Sequence, residues 1–255
     1  MTPDRPPGAD PPPADARPRR EETPATYRLC VFACERFPAS TLAVRERLFR
    51  PEPADGDVAV ARLERALRAL PESVLGPWAA RPERLHRGIR LHLAADGAGV
   101  AVAEIEHLAR RLGLAVFDEE LEEIGYPCAL DARGEIEEAC RAVCAAEAGY
   151  LVIEGGPGDR YFVQSIADVG CPDLRLEAAG NRTLGEKWRI PRSRVAELDR
   201  RGWRRPRGAE LNHSLMLPRK GLGTPPRLAG LLRDALEIGF GLPASARVTI
   251  CFSPA

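Results

Sequence analysis

The stretch YLVIEGGPGDRYFVQSIAD, Tyr150 to Asp168, decides the fold of the second half of the chain. An apolar run at 150–154 meets a cluster of turn residues, Gly155, Gly156, Pro157, Gly158 and Asp159. A second run follows at 160–168, rich in aromatic and β-branched residues. Two such runs about a short glycine- and proline-containing linker predict an antiparallel hairpin. A phosphate-binding loop would need a lysine and a hydroxyl directly after its last glycine, opening a helix. Asp159 and Arg160 stand there instead, and strand-like sequence begins.

Working outward, a third strand is expected at 173–179 and a helix before the hairpin at about 134–147. That helix places Ile136, Cys140, Val143 and Cys144 at core spacing. Pro191 can open another helix, which Gly202 ends. A strand at 211–217, a helix at 226–238 carrying Leu228, Leu231, Leu232, Ala235 and Leu236, and a last strand at 246–252 complete the half.

This order, together with certain residues, resembles a family of small chaperone-like domains, the type III secretion chaperone and YbjN-like (TY-Chap) group. The resemblance rests on Tyr161, Phe162, Val163 and Gln164 in one strand, and on Leu176, Glu177, Ala178, Gly180 and Asn181 in the next. Leu198, Gly202, Trp203 and Pro206 close it, after a helix. It covers roughly residues 134–242. It implies a curved antiparallel sheet with helices, and binding of a client protein or peptide without chemistry, in a secretion or toxin-associated bacterial system. The strand at 246–252 and everything before residue 134 fall outside that pattern.

The preceding residues read as a separate small α/β sandwich of order β-α-α-β-α-β. Tyr27, Leu29, Val31 and Ala33 share one face of a strand at 27–33. Ser40 can cap a helix running to Phe49 and stopping at Pro51. Asp57 can cap a second helix, which Pro71 ends, and a loop holding Trp78 follows. Ile89, Leu91 and Leu93 alternate with Arg90 and His92 in a half-buried strand. Ile105, Leu108, Ala109 and Leu112 line a third helix terminated by Gly113, and Leu114 to Phe117 make a strand. The end of this unit resembles uncharacterised small α/β domains. The expected fold class is therefore α+β: a proline-rich disordered tail at 1–26, a small domain at 27–128, an acidic connector, and a peptide-binding domain at 134–255.

Thirty-seven basic and thirty-seven acidic residues cancel. A general nucleic-acid or membrane-surface binder needs a basic excess, so both are disfavoured as partners. No apolar run reaches the roughly 18 residues of a membrane-spanning helix, and no apolar signal core opens the chain, so a cytoplasmic location is expected. All basic residues except Lys187 and Lys220 are arginine, which reads as a GC-rich genome. Seven cysteines, an odd number set within strand- and helix-like sequence, are expected as free thiols. Cys30 with Cys34 and Cys140 with Cys144 are each four apart, but a zinc site needs four ligands, and no second pair lies nearby. No cofactor is expected.

Of the four histidines, His213 with Asn212 and Ser214 comes nearest to a nucleophilic site, yet no nucleophile elbow surrounds it. Glu177 is read as structural. The enzyme alternative, with a site assembled from scattered residues such as Cys34, His92 or His213, stands beside the leading reading of a chaperone or adaptor. A scaffold subunit is a third. Charge is segregated: residues 118–138 hold nine acids against Arg133, and residues 182–207 hold ten basic residues against three acids. These could be two solvated faces, or could dock on each other or on a partner. Arg200, Arg201, Arg204 and Arg205 are the candidates for steering an acidic client, and Tyr161 and Leu215 for apolar contact. The partners expected are a client polypeptide and, secondarily, a second copy of the chain in a homodimer.

Overall fold

The computed structural model describes residues 26–38, 40–49, 58–70, 80–96, 98–221 and 223–254. The tail expected at 1–26, except Thr26, lies outside them, as do Pro51, Asp57, Pro71 and Trp78.

Among the described residues, ten antiparallel strands form one open sheet, flanked by six helices. The strands are β1 (Thr26–Phe32), β2 (Glu83–Leu85), β3 (Gly88–Ala94), β4 (Ala115–Asp118), β5 (Glu123–Ala129), β6 (Gly149–Gly155), β7 (Tyr161–Ala167), β8 (Asp173–Ala178), β9 (His213–Pro218) and β10 (Arg247–Pro254). Their order across the sheet is β2-β3-β1-β4-β5-β10-β6-β7-β8-β9. The helices are α1 (Thr41–Leu48), α2 (Val58–Ala69), α3 (Ala98–Leu112), α4 (Arg133–Ala145), α5 (Arg192–Arg200) and α6 (Thr224–Asp234). A π-helical turn, Ala235–Gly239, continues α6. The α+β class holds, and the hairpin read from Tyr150–Asp168 is β6 and β7, with Gly155 opposite Tyr161.

Local signals place the helices. The Ser40 hydroxyl accepts from the Ala43 amide at 3.1 Å and caps α1. Pro191 precedes α5, and Gly202, at φ 89°, lets the chain turn away after it. The residues expected as a connector, 118–133, carry β5, whose Ile124 and Tyr126 are buried. The C-terminal β10 inserts between β5 and β6, so strands from both halves of the sequence share one ladder.

The two faces of the sheet differ. On one face Phe117, Ile124, Phe252, Leu151 and Leu176 lie in register, and α1, α4, α5 and α6 pack over this side in a single large core. On the other, α2 and α3 cover β3, β1 and β4 and reach β5, burying Leu29, Val31, Leu91, Ile105 and Val116 in a second core. Beyond β5 no helix among the described residues covers this second face. Its middle row runs Gly125, Cys251, Val152, Gln164, Glu177, Ser214, one residue per strand.

Candidate functional site: an uncovered sheet face with an acidic cavity

The alternation that buries one side of each strand leaves the other half-exposed. Val152, Gln164, Ile166, Glu177 and Ser214 are partly exposed, and Met216 is 48% exposed. The polar members are bound into a network. Glu177 accepts from Gln164 Nε2 at 2.9 Å, from Asn212 Nδ2 at 3.0 Å and from Arg175 at 2.5 Å. Asn212 in turn accepts from the Thr183 hydroxyl at 2.9 Å. Glu177 is therefore a structural acceptor, as its residue pattern suggested, and its contact runs to Asn212. Asn181 clamps another loop: its Oδ1 accepts from the Ile190 amide at 2.6 Å, and its Nδ2 donates to the Ile190 carbonyl at 3.0 Å.

Arg204 extends the row. Its backbone pairs with Ser214 outside β9, donating at 2.7 Å and accepting at 3.0 Å. Cross-strand partners share a face, so Arg204 stands on the uncovered side, exposed. The other expected steering residues are engaged internally. Arg200 pairs with Glu197, Arg201 with Glu197 at 3.3 Å and Asp234 at 2.5 Å, and Arg205 with Asp199 at 2.6 Å. Tyr161 stacks on Phe240 with ring centroids 4.8 Å apart, and Leu215 packs against the large core. Both belong to the helix-covered side. Arg175, which sequence reading passed over, does lie on the open face.

The acidic and basic stretches do not dock on each other. Ion pairs from 118–138 run to Arg28, Arg45, Arg90 and Arg141. Those from 182–207 run to Glu197, Asp199 and Asp234.

Where the cover of α3 ends, a cavity of about 370 Å³ opens between that helix and β4, β5, β10 and β6. Val102, Leu114, Val116 and Val152 give it apolar walls. Four carboxylates reach it: Glu106 from α3, Asp118 from β4, Glu123 from β5 and Glu154 from β6. Tyr27 donates to Asp118, and Tyr150 donates to Glu123 at 2.6 Å. Arg110, also on the wall, pairs with Asp159. Burial, reinforced by Glu123, Asp118 and Glu154 and opposed by Arg110, pushes Glu106 up to about 7. Burial also raises Glu154. Cys251 faces the same space, and burial, aided by the carboxylates, holds its thiol well above its usual range, hence protonated and a poor nucleophile.

The residues of the enzyme alternative do not converge. Cys34 contacts the Arg36 carbonyl at 2.7 Å and Arg47 at 2.9 Å. His92 lies 3.9 Å from Glu83. His213 is buried in β9 with its Nδ1 unpartnered, and burial lowers its pKa. Successive strand residues point to opposite faces, so His213 and Ser214 are divided by the sheet. All seven cysteines are free, and no cluster of three or more His, Cys, Asp or Glu suited to a metal occurs among the described residues. Among those residues no helix is long and apolar enough to cross a membrane.

No curated protein and no solved structure matches the chain. A family model does, over residues 131–250, from just after β5 to the middle of β10. The helix-backed part of the sheet that leaves its second face open is thus similar to the family described as T3SS (YopN, CesT) and YbjN peptide-binding chaperone 3.

Proposed function

We propose that the protein is a non-enzymatic chaperone or adaptor that holds a segment of a client polypeptide against the uncovered face of its sheet. The observation that carries this reading is the one-sided cover: β10, β6, β7, β8 and β9 are backed by helices on one face only, within the stretch that matches a peptide-binding chaperone family. Val152, Ile166 and Met216 supply apolar contact on that face, and Gln164, Arg175 and Ser214 supply hydrogen-bonding groups at strand spacing. The half-open edge of β9 beyond the Arg204 bridge adds a place for backbone pairing.

The arginine-rich stretch lies at the β9 end of this platform. Arg204 extends onto it, and Arg200, Arg201 and Arg205 add positive potential from behind. Even with their internal pairs, ten basic residues against three acids leave a field that speeds the approach of an acidic segment. Tyr161 and Leu215 then act by holding β7 and β9 in shape. The T3SS in the family's description suggests a secretion setting, and the same proposal takes in a toxin association, a cytoplasmic location and a bacterial origin.

The test is an array of 15-residue peptides of varied charge and hydropathy, probed with the full chain. Binders should compete with one another, and a photo-crosslinker placed at Ile166 or Met216 should capture them. Charge reversal at Arg200, Arg201, Arg204 and Arg205 should slow association of acidic binders by about tenfold at low salt, with a smaller effect on dissociation. Crosslinks confined to the helical side of the sheet would sink the reading.

A further inference from the structure

The cavity beside α3 is lined mainly by hydrogen-bond acceptors, with the Arg110 guanidinium, its buried Nε unpartnered, as a donor on the wall. Asp118 and Glu123 are served by tyrosine hydroxyls. Glu106 and Glu154 make no ion pair or side-chain hydrogen bond among the described residues. A third, independent group joins them. Thr249 on β10 is only 6% exposed, lies opposite Glu154 in the ladder and lines the cavity, and its hydroxyl has no partner. A buried hydroxyl left unpaired costs free energy, as does each half-buried carboxylate without a hydrogen-bonding partner. Arg110 holds down both Glu106 and Glu154, but its ion pair is with Asp159, so it offsets only part of the charge of the four carboxylates.

We propose that this cavity receives the guanidinium of an arginine side chain carried by the bound polypeptide. The proposal rests on the peptide-binding reading and names one feature of the partner. A guanidinium offers five donors and no acceptor, which suits a pocket of acceptors. Its faces are weakly hydrated and lie well against apolar and aromatic walls, here Val102, Val152, Tyr27 and Tyr150. An ammonium is compact and strongly hydrated, and loses more on entering such a space. Val152 lines the cavity and belongs to the row on the uncovered face that continues to Arg204. A segment lying across the strands therefore meets acceptors at one end and cationic groups at the other. From β6 to β9 is three inter-strand steps, about 15 Å, or roughly four to five extended residues.

The experiment uses the full chain and small probes first. N-acetyl-arginine amide is titrated into isotopically labelled protein and followed by amide chemical shifts, beside the lysine and citrulline analogues. The expected result is a set of shifts on α3, β5, β6 and β10 with arginine, weaker with lysine and absent with citrulline. The Glu106→Gln/Glu154→Gln variant, shown folded by circular dichroism, should bind at least about tenfold more weakly, the effect of losing charge-assisted hydrogen bonds. Thr249→Val should weaken binding by a smaller factor. Binding should strengthen as pH rises through about 7, where Glu106 ionises amid Glu123, Asp118, Glu154 and Arg110. Shifts elsewhere, equal binding of citrulline or lysine, or an unchanged double variant overturns the proposal. Array peptides then separate the two readings. Peptides that bind equally with arginine or citrulline overturn the arginine site and leave the peptide platform standing. Arginine amide bound in the cavity, with no peptide bound at all, does the reverse.

Discussion

Glu119 shows how one side chain knits the first half of the molecule. It is 3% exposed, and its carboxylate takes two hydrogen bonds from Arg90, at 2.6 and 2.9 Å, and one from the Cys30 thiol at 3.0 Å. Burial alone would raise its pKa, but Arg90, Cys30 and Arg28 more than offset that and hold it below the usual range. Because the folded pKa is depressed, the stabilisation is fully present above the unfolded value and is lost as pH falls through the folded one. Glu119→Gln leaves the half-buried Arg90 with Glu83 as its remaining carboxylate partner. It should cost on the order of 3 kcal/mol at neutral pH, measured by urea unfolding, and the gap to the parent should narrow at acid pH. An equal gap at both pH values would mean that packing, not charge, carries the residue. The acid-rich stretch 118–138 was plain in the sequence, but its partners Arg28, Arg45 and Arg90 were not. They lie far off in sequence; Arg28 and Arg90 are brought in by the register of β1, β3 and β4, and Arg45 by α1.

At the scale of elements, caps and periodicity carried most of the reading. Ser40, Pro191 and Gly202 sit at the ends of the helices they suggested. β5 was missed because Gly125 and Pro127 disrupt a strand pattern and acidic residues surround it. Only Ile124 and Tyr126 kept the alternation. The open face was illegible for a related reason: periodicity tells which side of a strand is buried, not whether a distant helix covers the other. Gly180 was quoted as part of a family pattern without a physical role, and the structure supplies one. A Cβ there would lie 2.1 Å from the Leu211 carbonyl oxygen and 3.2 Å from Pro206 Cγ, so backbone would have to shift. Gly180→Ala should therefore cost about 2–3 kcal/mol or more and disturb the loop leading into β9. A thermal shift no larger than that of Gly185→Ala, where nothing lies within 4 Å, would refute this role.

The whole molecule raises the question of how far residues 27–128 and 134–255 act as separate units. Two observations pull apart. The core under α2 and α3 draws only on the first half, as an independent domain would require. The ladder does not respect that division: β4 pairs with β5, β5 with β10, and β10 with β6. The larger core likewise joins Phe32 and Phe117 to Phe252 and Leu151. Phe37, from the first half, donates its amide to Glu135 on α4 at 2.6 Å, and Arg247 reaches the Arg111 carbonyl at 3.4 Å. None of this could be read locally, because β10 finds its place between strands that precede it by about a hundred residues. Separating the halves would strip β10 of one neighbour and expose the β5 edge, with Ile124, Tyr126 and Phe252 uncovered on the core side. We therefore expect cooperative unfolding. In native-state amide exchange, protected amides of β1 and β3 should open with the same free energy and urea dependence as those of β6 and β7. If β1 and β3 instead open through a separate event several kcal/mol less costly, the chain is two units, and the arginine cavity between α3 and β6 becomes a hinge rather than a fixed pocket.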